Sequence, residues 1–171
     1  YAYMFGHSGK KLLFMGQDFG QEREWNEDRE LDWYLLKEDL NKGMHDYVRE
    51  LLTLYRKYPC MHEIDNDWGG FEWINADDAE RSTYVFFRKA KNKRNNLLFV
   101  VNMTPMTWEK YRIGVPKKGK FKLVLNSCDT RFGGSGAAIP SELVSEPGEC
   151  NFRKFSIAYD VPPYCAAVFL F

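Results

Sequence analysis

No two of the four cysteines, Cys60, Cys128, Cys150 and Cys165, are closer than fifteen residues, so the Cys-x-x-Cys spacing of a zinc site is absent. An even count permits disulfides without requiring them. Free thiols in a reducing cytosol are the expectation, with no metal and no cofactor. Neither charge is in excess, at 24 Lys+Arg against 24 Asp+Glu, which removes the global field that draws nucleic acid or an anionic membrane. No apolar run approaches the roughly 20 residues needed to cross a bilayer. No proline precedes Pro59, although seven follow from there on, and this marks a shift in composition. Aromatic residues are abundant at 16%, enough for a substantial core and also the residue type that stacks on sugar rings.

The densest signal is the stretch from Lys11 to Asn26. Leu12-Leu13-Phe14-Met15 has no polar residue on either face, the pattern of a strand buried on both sides in a parallel sheet. Gly16 stops it, and a loop rich in carboxylates, amides and tryptophan follows. About ten residues precede this strand, too few to supply ladder partners and covering helices. Tyr1 to His7 lacks an initiator Met and reads as the tail of an aromatic-rich helix broken by Gly6 and Gly9. The chain is therefore expected to be the C-terminal piece of something larger.

From Lys42 to Lys57, the apolar residues Met44, Tyr47, Val48, Leu51, Leu52 and Tyr55 recur at helical spacing, and Pro59 ends the helix. Beyond Pro59 the pattern becomes short strands between turns. Phe71–Ile74 and Ser82–Arg88 form a hairpin around Asn75–Arg81. Leu97–Asn102, Lys110–Val115, Lys120–Leu125, Phe152–Ala158 and Cys165–Phe171 supply five further strands. Seven strands predict an antiparallel β-sandwich of about 110 residues. Lys89–Asn96 is a basic connection of the solvated kind, and Gly133–Gly136 reads as a flexible loop tip without the Lys-Ser/Thr of a phosphate cradle. Cys165 is expected to pack as a small hydrophobe.

Strand, long loop and helix together read as the final βα unit of a β/α (TIM) barrel, where chemistry belongs to the βα loops. The chain thus divides into a barrel remnant at residues 1–58 and an all-β domain at 59–171. The loop Gln17–Asp39 carries nine Asp/Glu against three Lys/Arg, with Trp25 and Trp33. Such a rim can hydrogen-bond polyols and stack sugar rings; equally, it can be a charged surface loop anchored by its indoles. Trp33, among Leu31, Leu35 and Leu36, reads as an anchor. Trp25, between Glu24 and Asn26, fits either role.

Gly9-Lys10-Lys11-Leu12-Leu13-Phe14-Met15-Gly16-Gln17-Asp18-Phe19-Gly20-Gln21, Arg23-Glu24-Trp25-Asn26 and Leu31-Asp32-Trp33 closely resemble the bacterial 1,4-α-glucan (glycogen) branching enzymes. Val48-Arg49-Glu50-Leu51, Gly70-Phe71-Glu72-Trp73-Ile74, Asn102-Met103-Thr104-Pro105 and Tyr111-Arg112-Ile113-Gly114-Val115-Pro116 extend the likeness along the chain. The resemblance implies an α-amylase-superfamily enzyme that cuts an α-1,4 linkage and rejoins the glucan to a 6-hydroxyl, with glycogen or amylose as partner. It implies Gln17, Asp18, Gln21 and Trp25 as sugar-contacting residues. It also implies that the catalytic carboxylates lie on earlier barrel strands, so none is assigned in this chain. Glu22 and Glu24 are adjacent in a loop that fixes no geometry, and are not taken as that pair. Asp18 departs from the Glu more common in the family, which shifts its oxygens by about 1.5 Å.

Three other readings compete: a glucan-binding module using Trp68 or Trp108, a purely structural β domain, and a related superfamily hydrolase. The apolar faces of residues 1–58 are expected to pack on the β domain or to drive self-association.

Overall fold

The computed structural model describes residues 1–92 and 94–171. Among the described residues there are two α-helices, α1 (Ala2–Gly6) and α2 (Asp39–Lys57), short 3-10 turns and nine strands. These are β1 (Phe71–Asn75), β2 (Thr83–Arg88), β3 (Leu97–Asn102), β4 (Trp108–Val115), β5 (Lys120–Asn126), β6 (Glu142–Val144), β7 (Glu146–Cys150), β8 (Arg153–Val161) and β9 (Ala166–Leu170). Among the described residues they form two antiparallel sheets, ordered β1-β2-β3-β9-β5-β6 and β4-β8-β7. All seven expected strands and the hairpin are in place. The two additional strands were hidden by their chemistry. β6 is three residues long, and β7 contains Pro147, which an edge strand tolerates because one side of it needs no ladder partner.

The larger sheet is covered on both faces. Phe86, Leu97, Phe99, Val101, Ala166 and Val168 face the helices, packing against Ala2, Phe5, Tyr47, Leu51 and Leu54. Their alternating neighbours Val85, Phe87, Leu98, Val100, Ala167 and Phe169 face the smaller sheet, meeting Tyr111, Ile113, Ile157, Tyr159 and Val161. The period of two along a strand produces this division. Every residue of β3 is buried, so its sequence shows no polar alternation. The result is three layers: helices, six-stranded sheet, three-stranded sheet.

The expected strand over Leu12–Met15 is not formed. The segment runs without ladder partners, with Leu12 76% exposed and Phe14 and Met15 about half exposed, while Leu13 packs toward the core. The apolar reading was correct for burial on two faces only where partners exist, as β3 shows. Nothing in the described residues pairs with Leu12–Met15. The helix, in contrast, does pack on the β domain. It begins at Asp39, three residues before the apolar periodicity starts, and ends before Tyr58 with Arg56 and Lys57 in its last turn, opposite in charge to the helix's C-terminal dipole.

The loop containing Gly133–Gly136 is not a loose tip. The amides of Gly133, Gly134 and Gly136 donate to the carbonyls of Thr130, Asp129 and Cys128. Phe132 packs edge-on against Tyr47 of α2 at 5.2 Å. Gly43 explains how the loop comes so close, since a Cβ there would lie 2.7 Å from the Phe132 carbonyl carbon. The basic connection Lys89–Asn96 includes Lys93, which lies outside the described residues.

A buried cation ties the layers together. Arg88, at the end of β2, has no exposed surface. Its Nε donates to Cys60 O at 3.1 Å, its Nη1 to Gly6 O at 3.2 Å, and its Nη2 to Met61 O at 3.0 Å and Asp65 Oδ1 at 2.9 Å. One guanidinium thereby joins α1, the connector after α2 and the β1–β2 hairpin. Its planar, multi-donor geometry suits this role as an ammonium would not.

Candidate functional site

At Gly16 (φ 82°) the chain turns from the extended Leu12–Met15 segment into a 3-10 turn, Gln17–Phe19. Phe19 is fully buried and pins that turn inward. From α2, Asn41 Nδ2 donates to Phe19 O at 2.9 Å and to Gly20 O at 3.1 Å. The loop beyond is fastened to itself. Gln21 Oε1 accepts from the Asp32 amide at 2.8 Å, and its Nε2 donates to Arg23 O at 2.9 Å. Arg23 then forks onto Asp32, with Nε donating to Oδ2 at 2.8 Å and Nη2 to Oδ1. Fork-on-carboxylate pairs fix orientation as well as contact. The hydrogen bond from Arg23, reinforced by its charge, holds the Asp32 carboxyl below the usual carboxylate range.

This clasp presents Trp25 at the surface, 42% exposed and edge-on to Phe14 at 5.5 Å. A cleft of about 390 Å³ opens between them, lined by Phe14, Met15, Gln17, Gln21, Glu24 and Trp25. Three of the four nominated residues therefore meet in one place. Their freedom differs. Both polar ends of the Gln21 side chain are used within the loop, whereas Gln17 uses its Oε1 to accept from the Phe14 amide at 2.8 Å. The Gln17 NH2 has no partner among the described residues and can face a ligand.

Asp18 points elsewhere. Its Oδ2 lies 3.2 Å from Nδ1 of His45 on α2, and it borders a separate apolar groove of about 460 Å³ with Leu13, Met15, Val48 and Leu52. Trp33 lays its ring against Phe19 at 5.1 Å but keeps nearly half its surface exposed, so it is an anchor on one face alone. Glu22 and Glu24 are exposed, and no group of three metal-ligating side chains occurs among the described residues. Sequence reasoning did not find the Arg23–Asp32 fork or the His45–Asp18 contact. Both join residues at non-periodic separations, so no helical or strand spacing announces them.

The sequence matches the family described as "Alpha amylase, C-terminal all-beta domain" over residues 73–171. It is similar to the 1,4-alpha-glucan branching enzyme GlgB of Butyrivibrio fibrisolvens, with 60% identity over all of this chain and 27% of that protein. The GlgB of Rubrobacter xylanophilus is 46% identical over 99% of this chain and 23% of its own length. The chain thus spans about a quarter of the length of these curated relatives. Among solved structures, a debranching enzyme from Nostoc punctiforme superposes with a TM-score of 0.61 at 14% identity, covering 99% of this chain and 28% of that one. An alpha-amylase from H. orenii gives 0.57 at 15% identity, covering 99% and 34%. At such identities the two structures support the shared fold and nothing finer.

Proposed function

The chain belongs to the family of alpha-amylase C-terminal all-beta domains, and from that membership we propose that it is the C-terminal part of a 1,4-alpha-glucan branching enzyme of the cytoplasm. Residues 1–58 close the catalytic β/α barrel in this reading, and residues 59–171 form the all-β domain behind it. The observation that carries the proposal is identity of 60% and 46% to branching enzymes along the entire chain, loop Gln17–Asp39 included. The exposed Leu12, Phe14 and Met15, beside the groove against Val48 and Leu52, offer the apolar face that neighbouring barrel strands would cover.

The chemistry follows from the reading. One barrel carboxylate attacks the anomeric carbon while a second, about 5 Å away, protonates the departing O4, leaving a glycosyl ester. A 6-hydroxyl of another glucan then attacks that carbon and gives its proton to the second carboxylate. An α-1,6 branch forms with retention, and both carboxyls return to their starting states. In this chain the Arg23–Asp32–Gln21 clasp positions the rim; Trp25 gives a stacking face and Gln17 an amide donor.

The test is incubation with amylose followed by enzymatic debranching. The complete polypeptide should create α-1,6 linkages, and the 171-residue chain alone should create none. New reducing ends without branches would identify a hydrolase instead, and branching by the chain alone would place the carboxylates within it. A second expectation concerns the uncovered face. The isolated chain should associate with itself at micromolar concentration in sedimentation velocity, and Leu12→Lys with Met15→Lys should return it to a monomer. A monomeric wild-type chain would count against that use of the face.

A further inference from the structure

We propose that Cys128 and Cys165 are a reversible dithiol–disulfide pair, a modification site that hydrogen peroxide closes and a dithiol reductant reopens. The two residues face each other where β5 and β9 run out. Past the irregularity between Leu123 and Leu125, the register pairs Leu125 with Val168 and Asn126 with Ala167. The next step brings Ser127 opposite Ala166, where the Ser127 amide donates to Ala166 O at 2.9 Å and the Ala166 amide to Ser127 Oγ at 2.8 Å. One step further sets Cys128 against Cys165. Hydrogen-bonded and non-hydrogen-bonded positions alternate along an antiparallel ladder, so this is a non-hydrogen-bonded position, where Cα atoms approach to about 4.5 Å. A disulfide needs a Cα separation of roughly 4.4–6.8 Å. The backbone agrees. Cys165 O accepts from the Asn102 amide at 2.8 Å and Cys128 O from the Gly136 amide at 2.7 Å, so neither carbonyl is used on the facing cysteine. Asn126 Oδ1 draws the two residues together by accepting from the Cys128 amide at 2.9 Å and from the Cys165 thiol at 3.7 Å.

The two sulfurs are unequal, as a reactive pair requires. Contact with the Cys165 thiol holds the Cys128 thiol down at about 7, against the upward pull of burial, with help from Ser135 and Ser127. The same contact, together with burial, pushes the Cys165 thiol up, so its proton stays on. Cys128 is thus the attacking sulfur and Cys165 the resolving one. Cys60 is the contrast, since burial pushes its thiol up to about 12. Both sulfurs of the pair are buried, but Cys165 lines a cleft of about 250 Å³ with Tyr1, Tyr47, Ser127 and Tyr164. Water takes about 30 Å³ in the liquid, and peroxide is scarcely larger, so the cleft admits it. The Cys128 thiolate attacks one peroxide oxygen, the O–O bond breaks, and the hydroxide that leaves takes a solvent proton to become water. Cys128 is then a sulfenic acid. The Cys165 sulfur attacks the Cys128 sulfur, the S–S bond forms, the S–O bond breaks, and hydroxide departs as a second water with the Cys165 proton. The thiols lose two electrons and the peroxide gains them. The new bond ties β9 to the 128–136 loop, which already reaches α2 through Phe132 against Tyr47.

The experiment treats the chain with millimolar hydrogen peroxide, blocks the remaining thiols with N-ethylmaleimide in denaturant, and maps the peptides by mass. The expected product joins the Cys128 and Cys165 peptides, lighter than their sum by a pair of hydrogens, with Cys60 alkylated. Dithiothreitol should return both thiols. The oxidised chain should melt about 5 °C or more above the reduced one. Cys165→Ser should instead accumulate a sulfenic acid at Cys128, trapped by dimedone. Cys150→Ser should leave the cross-link intact, because that thiol lies on β7 in the other sheet. Full alkylation of Cys128 and Cys165 after peroxide, or a cross-link through Cys150 in place of theirs, would overturn the proposal. A lower melting point on oxidation would also overturn it, by showing that the ladder does not accommodate the bond. Dimedone on Cys165 with Cys128 still reduced would reverse the assigned order of attack.

Discussion

Arg88→Met is expected to lower the unfolding free energy by about 3–5 kcal/mol, the usual consequence of removing one member of a buried charged pair. Domains of this kind possess about 5–15 kcal/mol in total, so the variant should be marginal at physiological temperature. The loss comes from what is left behind. The carbonyls of Gly6, Cys60 and Met61 would remain enclosed without their donor, and the Asp65 carboxylate would keep only the Gly9 amide and lose its counter-charge. Urea denaturation reads the effect as a fall in midpoint at unchanged slope. Adding Asp65→Asn to the variant should restore part of the loss, because the stranded charge disappears, and a double-mutant cycle measures how much. Strictly additive effects would show that the two residues do not act as a unit.

The same pair has a pH signature. Burial pushes the Asp65 carboxyl upward, but the hydrogen bonds from Arg88 and the Gly9 amide, with the guanidinium charge, outweigh it and hold the group below the usual range. A depressed folded-state value contributes stability that is complete above the unfolded value of about 3.9 and fades as pH drops through the lower folded value. The urea midpoint of the native chain should therefore decline below about pH 4. Asp65→Asn should lose that portion of the decline.

Phe99→Ala is the second large effect, expected at about 3–5 kcal/mol. Phe99 is fully buried at the centre of β3 and lies parallel to Phe86 at 5.0 Å and 6°. Phe86 in turn stacks on Phe71 at 5.1 Å, so the cavity would open beneath a continuous column of rings. Little can collapse into it, since the helices press on one side of the sheet and the second sheet on the other. Phe152→Ala makes the matched control: that ring is completely exposed, and its removal should stay within about 0.5 kcal/mol. A thermal melt of both proteins decides the matter; equal midpoints would contradict the three-layer core.

How much was readable before any coordinates follows from which forces act locally. Met44, Tyr47, Val48, Leu51 and Tyr55 recur with the 3.6-residue period and α2 lies where that period predicts, although Leu52 of the same pattern is exposed and Leu54, outside it, is buried. Seven of the nine strands after Pro59 were equally legible from turn chemistry and β-branched or aromatic runs; β6 and β7 were not. Leu12–Met15 and Leu97–Val101 look alike as sequence, yet the second sits at the heart of a sheet and the first leaves Leu12, Phe14 and Met15 exposed. Composition encodes the demand for partners and does not say whether the chain contains them. The glycines of the 133–136 loop misled for a related reason. Flexibility in isolation became tight contact once Gly43 left room for it. At the site, Gln17, Gln21 and Trp25 were nominated together and do meet, but the clasp that aims them depends on an Arg23–Asp32 contact that no periodicity encodes.

The family match begins at Trp73, part-way through β1. All three segments that bind the Arg88 guanidinium, at Gly6, Cys60–Met61 and Asp65, lie upstream of it. The unit of inheritance and the unit of cooperativity therefore have different borders. A recombination event that transplanted only the recognisable all-beta module would deliver an enclosed cation with none of its acceptors, so lineages that shuffle this module must carry the preceding helices with it or first replace Arg88 by something neutral.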